Sequence, residues 1–274
     1  MRQEMEVTAQ HSAYDRWQAE KYYSFYYRDS IVQDELITLR YCIDYLRPFE
    51  GGFEHALDYG CGPTLHNAIA VTPHVERLDM ADWVPDNLQS IRRWRDGGDG
   101  SSSWQHFTRY ILGCEGVPDA AVTVVAERER LARSRIDALL RSDAREPQPL
   151  GPGRTGYYDL LVSGYCLDCI SNDRRVWLDA MRHVLSTLRP GGTLVLNALW
   201  RCRSYQVHER WYPAADVDVD DLYACLKANG FAPASLDIQA HAYPHQEACG
   251  YPGILIASGR KLARRHQPAA ASVS

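Results

Sequence analysis

The sequence predicts an α/β fold, a mostly parallel sheet flanked by helices. Three observations carry that expectation. Short apolar runs at residues 56–59, 75–80, 158–163 and 193–199 have strand length. Segments of helical period separate them. The first run, Ala56-Leu57-Asp58-Tyr59, enters Gly60-Cys61-Gly62-Pro63-Thr64, whose glycines two residues apart suit a strand turning tightly against a bound ligand.

Each element has its own warrant. Residues 14–27 hold Tyr14, Trp17, Tyr22, Tyr23, Phe25, Tyr26 and Tyr27, a density suited to sealing a small-molecule pocket or anchoring an N-terminal arm on the core. Ile31, Leu36, Leu39, Ile43 and Leu46 give residues 31–47 an apolar helical face that Pro48 ends. After the strand at 56–59, residues 65–71 read as a helix, 75–80 as the second strand, and 85–94 as a helix with Leu88, Ile91 and Trp94 at helical spacing. Residues 96–103, rich in glycine and serine, form a solvated loop.

Helices are then expected at 104–112 and 126–140, with 121–125 either opening the second or forming a short extended piece. The proline- and glycine-rich 147–156 is a loop before the strand at 158–163. A helix at 177–188 ends in the turn Arg189-Pro190-Gly191-Gly192, and the next strand is 193–199. Residues 220–229 read as a helix closed by Gly230, and 234–242 with 253–257 as a late antiparallel pair. The domain expectation is a cap and helix over 1–50, a catalytic domain over 51–260, and a flexible, basic then Ala/Ser-rich tail over 261–274.

At 274 residues the chain has room for one large core, and its net charge of -5 gives no electrostatic reason to expect nucleic acid. No apolar run approaches the length that crosses a bilayer. Eight scattered cysteines without a secretion signal point to a reduced, cytoplasmic compartment. Cys166-Leu167-Asp168-Cys169 is a lone Cys-x-x-Cys pair with no second pair nearby, so structural thiols are expected and no metal.

The glycine turn selects a class of cofactor. Leu65 stands where a pyrophosphate-binding fingerprint has its third glycine, and Pro63 removes a backbone donor. A nucleoside without a pyrophosphate, such as S-adenosylmethionine, fits better than a nicotinamide dinucleotide. A ribose calls for a carboxylate some 20 residues further on, where both Asp79 and Asp82 stand. Asp143, in a loop, is either an acceptor for an adenine amino group or a solvated turn acid.

Glu20-Lys21-Tyr22-Tyr23, Asp58 through Thr64, Asp82 through Leu88, Cys166-Leu167-Asp168 and Arg189-Pro190-Gly191-Gly192 occur in an order that resembles the family of small-molecule amine methyltransferases containing the nicotinamide, phenylethanolamine and indolethylamine N-methyltransferases. The likeness runs from about Tyr14 to Arg260. It implies a Rossmann-like class I S-adenosylmethionine-dependent methyltransferase fold, with a seven-stranded sheet and an N-terminal aromatic cap. It further implies that Tyr23 closes over the cofactor, that Gly60, Gly62 and Thr64 border its methionine portion with Asp58 also among the cofactor-binding residues, and that Asp82 with Asn87 receives the ribose. Asp143 would approach adenine, and Ser163, Gly164 and Tyr165 would lie along the pocket through their backbone.

The substrate side departs from the family. Asn197 stands at a strand end where the nicotinamide enzyme carries an acidic substrate contact, which replaces a fixed charge by an amide. Tyr14, Trp17, Tyr205 and Tyr243 are substrate-binding candidates, and His208, Glu209 and Glu247 are candidates for managing an amine's proton. The expected activity is N-methylation of a small-molecule amine or nitrogen heterocycle by a monomer that binds neither nucleic acid nor membrane. The alternatives are a small-molecule O-methyltransferase and a nonenzymatic cofactor-binding protein.

Overall fold

The computed structural model describes residues 14, 16–49, 52–98, 100–207, 209–243 and 250–263. Its centre is a seven-stranded sheet in the order β3-β2-β1-β4-β5-β9-β8. The strands are β1 (Phe53–Tyr59), β2 (Val75–Asp82), β3 (Ile136–Arg141), β4 (Tyr158–Gly164), β5 (Leu188–Trp200), β8 (Asp237–Ala242) and β9 (Gly253–Arg260). The first five pair in parallel, and β9 runs antiparallel to both β5 and β8. Central strands buried on both faces favour apolar residues, as at Ala56 and Leu57 of β1 and Leu160 to Val162 of β4.

Alternation along the strands sends their side chains to two cores. Ala56, Leu78, Met80, Leu160, Val162 and Val195 meet α2 (Gln33–Leu46), α3 (His66–Val71), α4 (Pro85–Arg95), α5 (Gln105–Cys114) and α6 (Val122–Arg135). Leu57, Tyr59, Leu161, Leu194 and Leu196 face α7 (Arg174–Leu185) and α8 (Val219–Ala228). Helix starts follow from capping chemistry. Asp173 accepts from the Arg175 amide at 2.8 Å to open α7, and Asp218 and Asp221 form a reciprocal capping box on α8.

The expected helix over 126–140 is corrected at its end: α6 begins at Val122 and stops at Arg135, and Ile136–Arg141 is edge strand β3. The Arg189–Gly192 turn lies within the span of β5, where pairing to β4 shifts register between Tyr158 and Leu160. A small hairpin that the pattern did not announce, β6 (Ser204–Val207) with β7 (Arg210–Pro213), stands beyond the end of β5. On the other side, α1 (Ala19–Tyr26) carries the aromatic segment, its first amide donating to Asp86 Oδ2 on α4 at 2.8 Å.

The strand order reverses between β1 and β4, which opens a crevice at their carboxyl ends. Gly60 after β1, Asp82 ending β2, Ser142 after β3, Gly164 ending β4 and Asn197 near the end of β5 all reach this edge. Among the described residues, no helix is long and apolar enough to cross a membrane.

Candidate active site

These strand ends and the aromatic cap enclose a cavity of about 1100 Å³, its open mouth included. The glycine loop forms one wall. Gly60 and Gly62 have φ of +70° and +58°, the left-handed region that favours glycine. A Cβ on Gly60 would lie 2.0 Å from Cys166 Sγ, so the β1 and β4 exits touch because position 60 has no side chain. Thr64 closes the loop by donating to the Cys61 carbonyl at 2.7 Å.

Asp82 organises the next wall. Its Oδ2 accepts from the Gly62 amide at 2.8 Å, and its Oδ1 from the Val84 amide at 2.7 Å and Asn87 Nδ2 at 3.0 Å. Burial raises its carboxyl above the usual value, and those three hydrogen bonds pull it back. Asn87 Oδ1 accepts in turn from Trp17 Nε1 at 2.8 Å, so the cap is fastened to the carboxylate that holds the glycine loop. The pair Asp79/Asp82 is thereby separated: Asp79 is held by Tyr158 at 2.7 Å and by Arg154, away from the cavity.

The cap is a cluster of rings. Trp17 and Tyr22 have centroids 4.6 Å apart, Tyr14 lies 5.2 Å from Tyr212, and the Tyr14 and Tyr205 hydroxyls are 3.4 Å apart. Tyr14 also donates to the Cys169 carbonyl at 3.2 Å. Tyr165, the residue after β4, has φ of +50°, an uncommon conformation for a tyrosine, and its amide donates to the Asn197 carbonyl at 3.0 Å. Asp143 pairs with Arg145 at 2.8 Å beside Trp83, whose ring lies 5.1 Å from the Arg145 guanidinium.

Tyr14, Trp17, Gly60, Gly62, Thr64, Asp82, Asn87, Asp143, Gly164, Tyr165, Asn197 and Tyr205 are brought together around this cavity. Tyr23, Asp58, Ser163, Glu209 and Tyr243 stand outside its lining. Tyr23 turns into the core, with its hydroxyl on the Ser103 carbonyl at 2.7 Å and its ring against Trp104; Tyr22 and Tyr27 take the cavity-facing places. Ser163 is fully buried and donates to the Tyr59 carbonyl at 2.8 Å. Tyr243 packs with Tyr251, Leu199 and Ile254. Glu209 lies on the surface at the β6–β7 turn. His208 and Glu247 lie outside the described residues.

Asp58 is 1% exposed, and neither carboxylate oxygen has a hydrogen-bond partner among the described residues. Burial, reinforced by the charge of Asp82, pushes it up to about 8. Cys166 and Cys169 both line the cavity, and burial raises them well above the ordinary thiol value, so they are thiols at neutral pH. Asp168 ties this segment to β5 by accepting from the Leu199 amide at 2.8 Å.

Sequence reasoning passed over Glu35 and His66, which also line the cavity. Glu35 is 3% exposed and accepts from Tyr27 at 3.1 Å and Thr38 at 3.3 Å. His66 Nε2 lies 3.3 Å from Glu35 Oε2, but burial lowers the imidazole to about 3, so the contact is between a neutral ring and a carboxyl. The detectable signal was the run Gln33-Asp34-Glu35 opening a helix, which reads equally as acids complementing a helix N-terminus.

Sheet order, switch-point cavity and aromatic cap together define a Rossmann-like class I methyltransferase fold. More particularly, the chain belongs to the NNMT/PNMT/TEMT family, whose model matches residues 4–262. Phenylethanolamine N-methyltransferase of Macaca mulatta is 32% identical over 162 residues, 58% of this chain and 54% of its own length. Nicotinamide N-methyltransferase of Homo sapiens is 24% identical over 251 residues, 89% of this chain and 91% of its own. The chain therefore spans about half the length of the phenylethanolamine enzymes it matches. Among solved structures, the N-methyltransferase NodS from Bradyrhizobium japonicum WM9, in complex with S-adenosyl-L-homocysteine, superposes with a TM-score of 0.52 at 14% identity, covering 86% of this chain and 91% of its own. At that identity the likeness speaks for the fold.

Proposed function

We propose that this protein is an S-adenosylmethionine-dependent N-methyltransferase acting on a small-molecule amine or nitrogen heterocycle. The observation that carries the proposal is the cavity at the β1/β4 switch point, where the Gly60–Gly62 loop, the Asp82–Asn87 pair and the Tyr14–Trp17–Tyr22 cap converge. Membership of a family whose members include amine and nicotinamide N-methyltransferases supports the nitrogen acceptor.

The residues present fit the cofactor. The left-handed glycines bring bare backbone to the cavity wall, and Asp82 retains one acceptor site, on Oδ2, for a ribose hydroxyl beyond its three bonds. His66 Nδ1, Asn197 Oδ1 and the Tyr165 hydroxyl are buried polar atoms of cavity-lining residues with no protein partner among the described residues. Buried polar atoms left alone cost free energy, so a polar ligand is the expected occupant.

When bound, the cofactor supplies an electrophilic methyl on a sulfonium. The chain's part is to position and to exclude water. Gly60, Gly62 and Thr64 would hold the methionine portion, Asp82 and Asn87 the ribose, and Asp143 beside Trp83 the adenine. The cap rings would present π faces to the sulfonium and shield the reacting atoms. Tyr14, Tyr205 and Asn197 would orient the acceptor so that its nitrogen lone pair lies in line with the methyl, which turns much of the encounter cost into binding. His208, Glu209 and Glu247 stand in the proposal as groups from the hairpin and the segment before β9 that manage the acceptor's proton, and Tyr23 and Tyr243 as supports of the cap and the substrate wall.

The test is mass spectrometry of the purified protein incubated with methyl-labelled S-adenosylmethionine and a panel of amines, nitrogen heterocycles and phenols. A labelled N-methyl product is expected. A product labelled on oxygen would replace the acceptor class, and cofactor binding without product from any compound would withdraw the enzymatic reading.

A further inference from the structure

The carboxyl of Glu35 has no place in the scheme above, yet it is built into the cavity wall. Tyr27 and Thr38 fix its two oxygens at 3.1 and 3.3 Å, and the Tyr27 ring stacks on His66 with centroids 5.4 Å apart and planes 17° from parallel. Asp34 precedes it, 7% exposed, with its Oδ1 accepting from the Glu35 amide at 3.0 Å. Among the described residues the only basic side chain within ion-pair distance of Glu35 is His66, and that ring is neutral near pH 7. A buried carboxylate without a cation is costly. The other carboxylates on this wall are committed, Asp82 to Gly62, Val84 and Asn87, and Asp143 to Arg145.

His66 adds an independent sign of a ligand. It is 4% exposed, lines the cavity, and its Nδ1 has no partner among the described residues. The ring is neutral, so one of its two nitrogens is a bare acceptor. A buried carboxylate beside a neutral imidazole, with no other basic side chain within ion-pair distance among the described residues, matches a group that is positive and rich in N–H donors.

We propose that Glu35, beside the neutral His66 ring, is an ammonium-binding site inside the cavity, holding a primary or secondary ammonium of a bound ligand. The inference rests on the proposed cofactor, because two ligands of the reaction carry such a group: the α-ammonium of the cofactor's amino-acid end and the acceptor amine. The groups around Glu35 and its neighbour are Asp34 and Thr38 on α2, Tyr22 on α1, Tyr27 at the C-terminal cap of α1, His66 on α3, Tyr165 after β4, and Tyr251, which donates to Asp34. Burial raises both Asp34 and Glu35 above the usual carboxylate range, the charge of Glu35 adding to the rise at Asp34. Among the described residues no cationic side chain lies within ion-pair distance to offset it, so an arriving ammonium displaces a proton from the pair.

Isothermal titration calorimetry of the wild-type protein at pH 6.5, in two buffers of different ionisation enthalpy, reads that proton without any substitution. Three probes separate the sources: S-adenosylhomocysteine, 5′-methylthioadenosine, which lacks the amino-acid end, and 2-phenylethylamine added to the S-adenosylhomocysteine complex, with neutral 2-phenylethanol as its control. Proton release with S-adenosylhomocysteine and not with 5′-methylthioadenosine, together with a loss of about tenfold or more in S-adenosylhomocysteine affinity in Glu35→Gln, assigns the cofactor's ammonium. Release only in the amine step, with Glu35→Gln weakening the amine and sparing the alcohol, assigns the acceptor. Binding of S-adenosylhomocysteine with no proton release in either step, and with Glu35→Gln within twofold of wild type for every probe, overturns the inference and leaves the cofactor reading intact. Failure of both nucleosides to bind removes the cofactor reading first, and this site with it.

Discussion

Asp82→Asn separates a residue that shapes the glycine loop from one that also receives the cofactor. The carboxylate serves three donors, with the Gly62 amide on Oδ2 and the Val84 amide and Asn87 Nδ2 on Oδ1. An asparagine keeps one oxygen. Its least costly orientation retains the two donors on the Oδ1 side and turns an NH2 towards Gly62, leaving one buried N–H unmatched at a cost of about 1–3 kcal/mol. For a chain of this size each kcal/mol lowers Tm by about 2–4 °C, so a fall of roughly 2–12 °C is expected in a thermal melt. The proposed ribose contact uses the same Oδ2 edge. Losing a charge-assisted hydrogen bond of about 1.5–3 kcal/mol there raises the Kd for S-adenosylhomocysteine roughly 10- to 150-fold by calorimetry. A variant with the lower Tm but a Kd within twofold of wild type would refute the reasoning, because Asp82 would then hold the loop and nothing more.

Three further outcomes follow from the same geometry. Asp58 is protonated when folded up to about pH 8 but ionises near 4 when unfolded. The folded state thus binds the extra proton between those values, and stability falls as pH rises from about 4 to 8; Asp58→Asn should flatten that part of a Tm-against-pH curve, and an unchanged slope would show that other groups set it. Gly60→Ala places a Cβ 2.0 Å from Cys166 Sγ at a φ of +70°, so it should lower Tm sharply. Adding Cys166→Gly should recover the steric part but not the backbone part of about 1–2 kcal/mol, and full recovery in melts of the double variant would contradict the strain argument. Trp17→Phe keeps a ring but removes the donor to Asn87; the loss of about 0.5–1.5 kcal/mol should raise the cofactor Kd roughly 2- to 13-fold, and a Kd equal to wild type would mean that the cap closes without that bond.

Much of the floor of the site was legible because its constraints are local. A strand, two glycines at a fixed spacing and an acid one strand later require no knowledge of the rest of the chain. Gly60 and Gly62 accordingly line the cavity, as does Asp82, one of the two acids that the spacing offered; the choice of Asp82 over Asp79, and Asn87 with it, came from the family resemblance. Strand β3 was illegible for the same local reason. Its Ile-Asp-Ala-Leu-Leu-Arg contains strong helix formers and follows α6 without glycine or proline, so helical propensity reads straight through a strand whose exposed edge position demands little apolar alternation. Tyr22 and Tyr23 illustrate the limit for the cap. Neighbours on a helix point about 100° apart, and with aromatics at 22, 23, 26 and 27 only the docking of α1 onto α4 and the core decides which face meets the cavity. Glu35 and His66 lie 31 positions apart and become partners only when α2 crosses the start of α3.

The hydrogen-bond chain from Gly62 through Asp82 and Asn87 to Trp17 couples two jobs of the site for anyone who wishes to redesign it. Residues that share one network do not mutate independently, and their effects depart from additivity by 0.5–3 kcal/mol as a rule of scale. On the proposed reading, replacing cap aromatics to admit a different acceptor therefore also retunes the grip on the nucleoside through Asn87. A library that varies Trp17 alone would reject acceptors for want of cofactor. One that varies Trp17 together with Asn87 and scores cofactor affinity beside turnover can move the two properties apart.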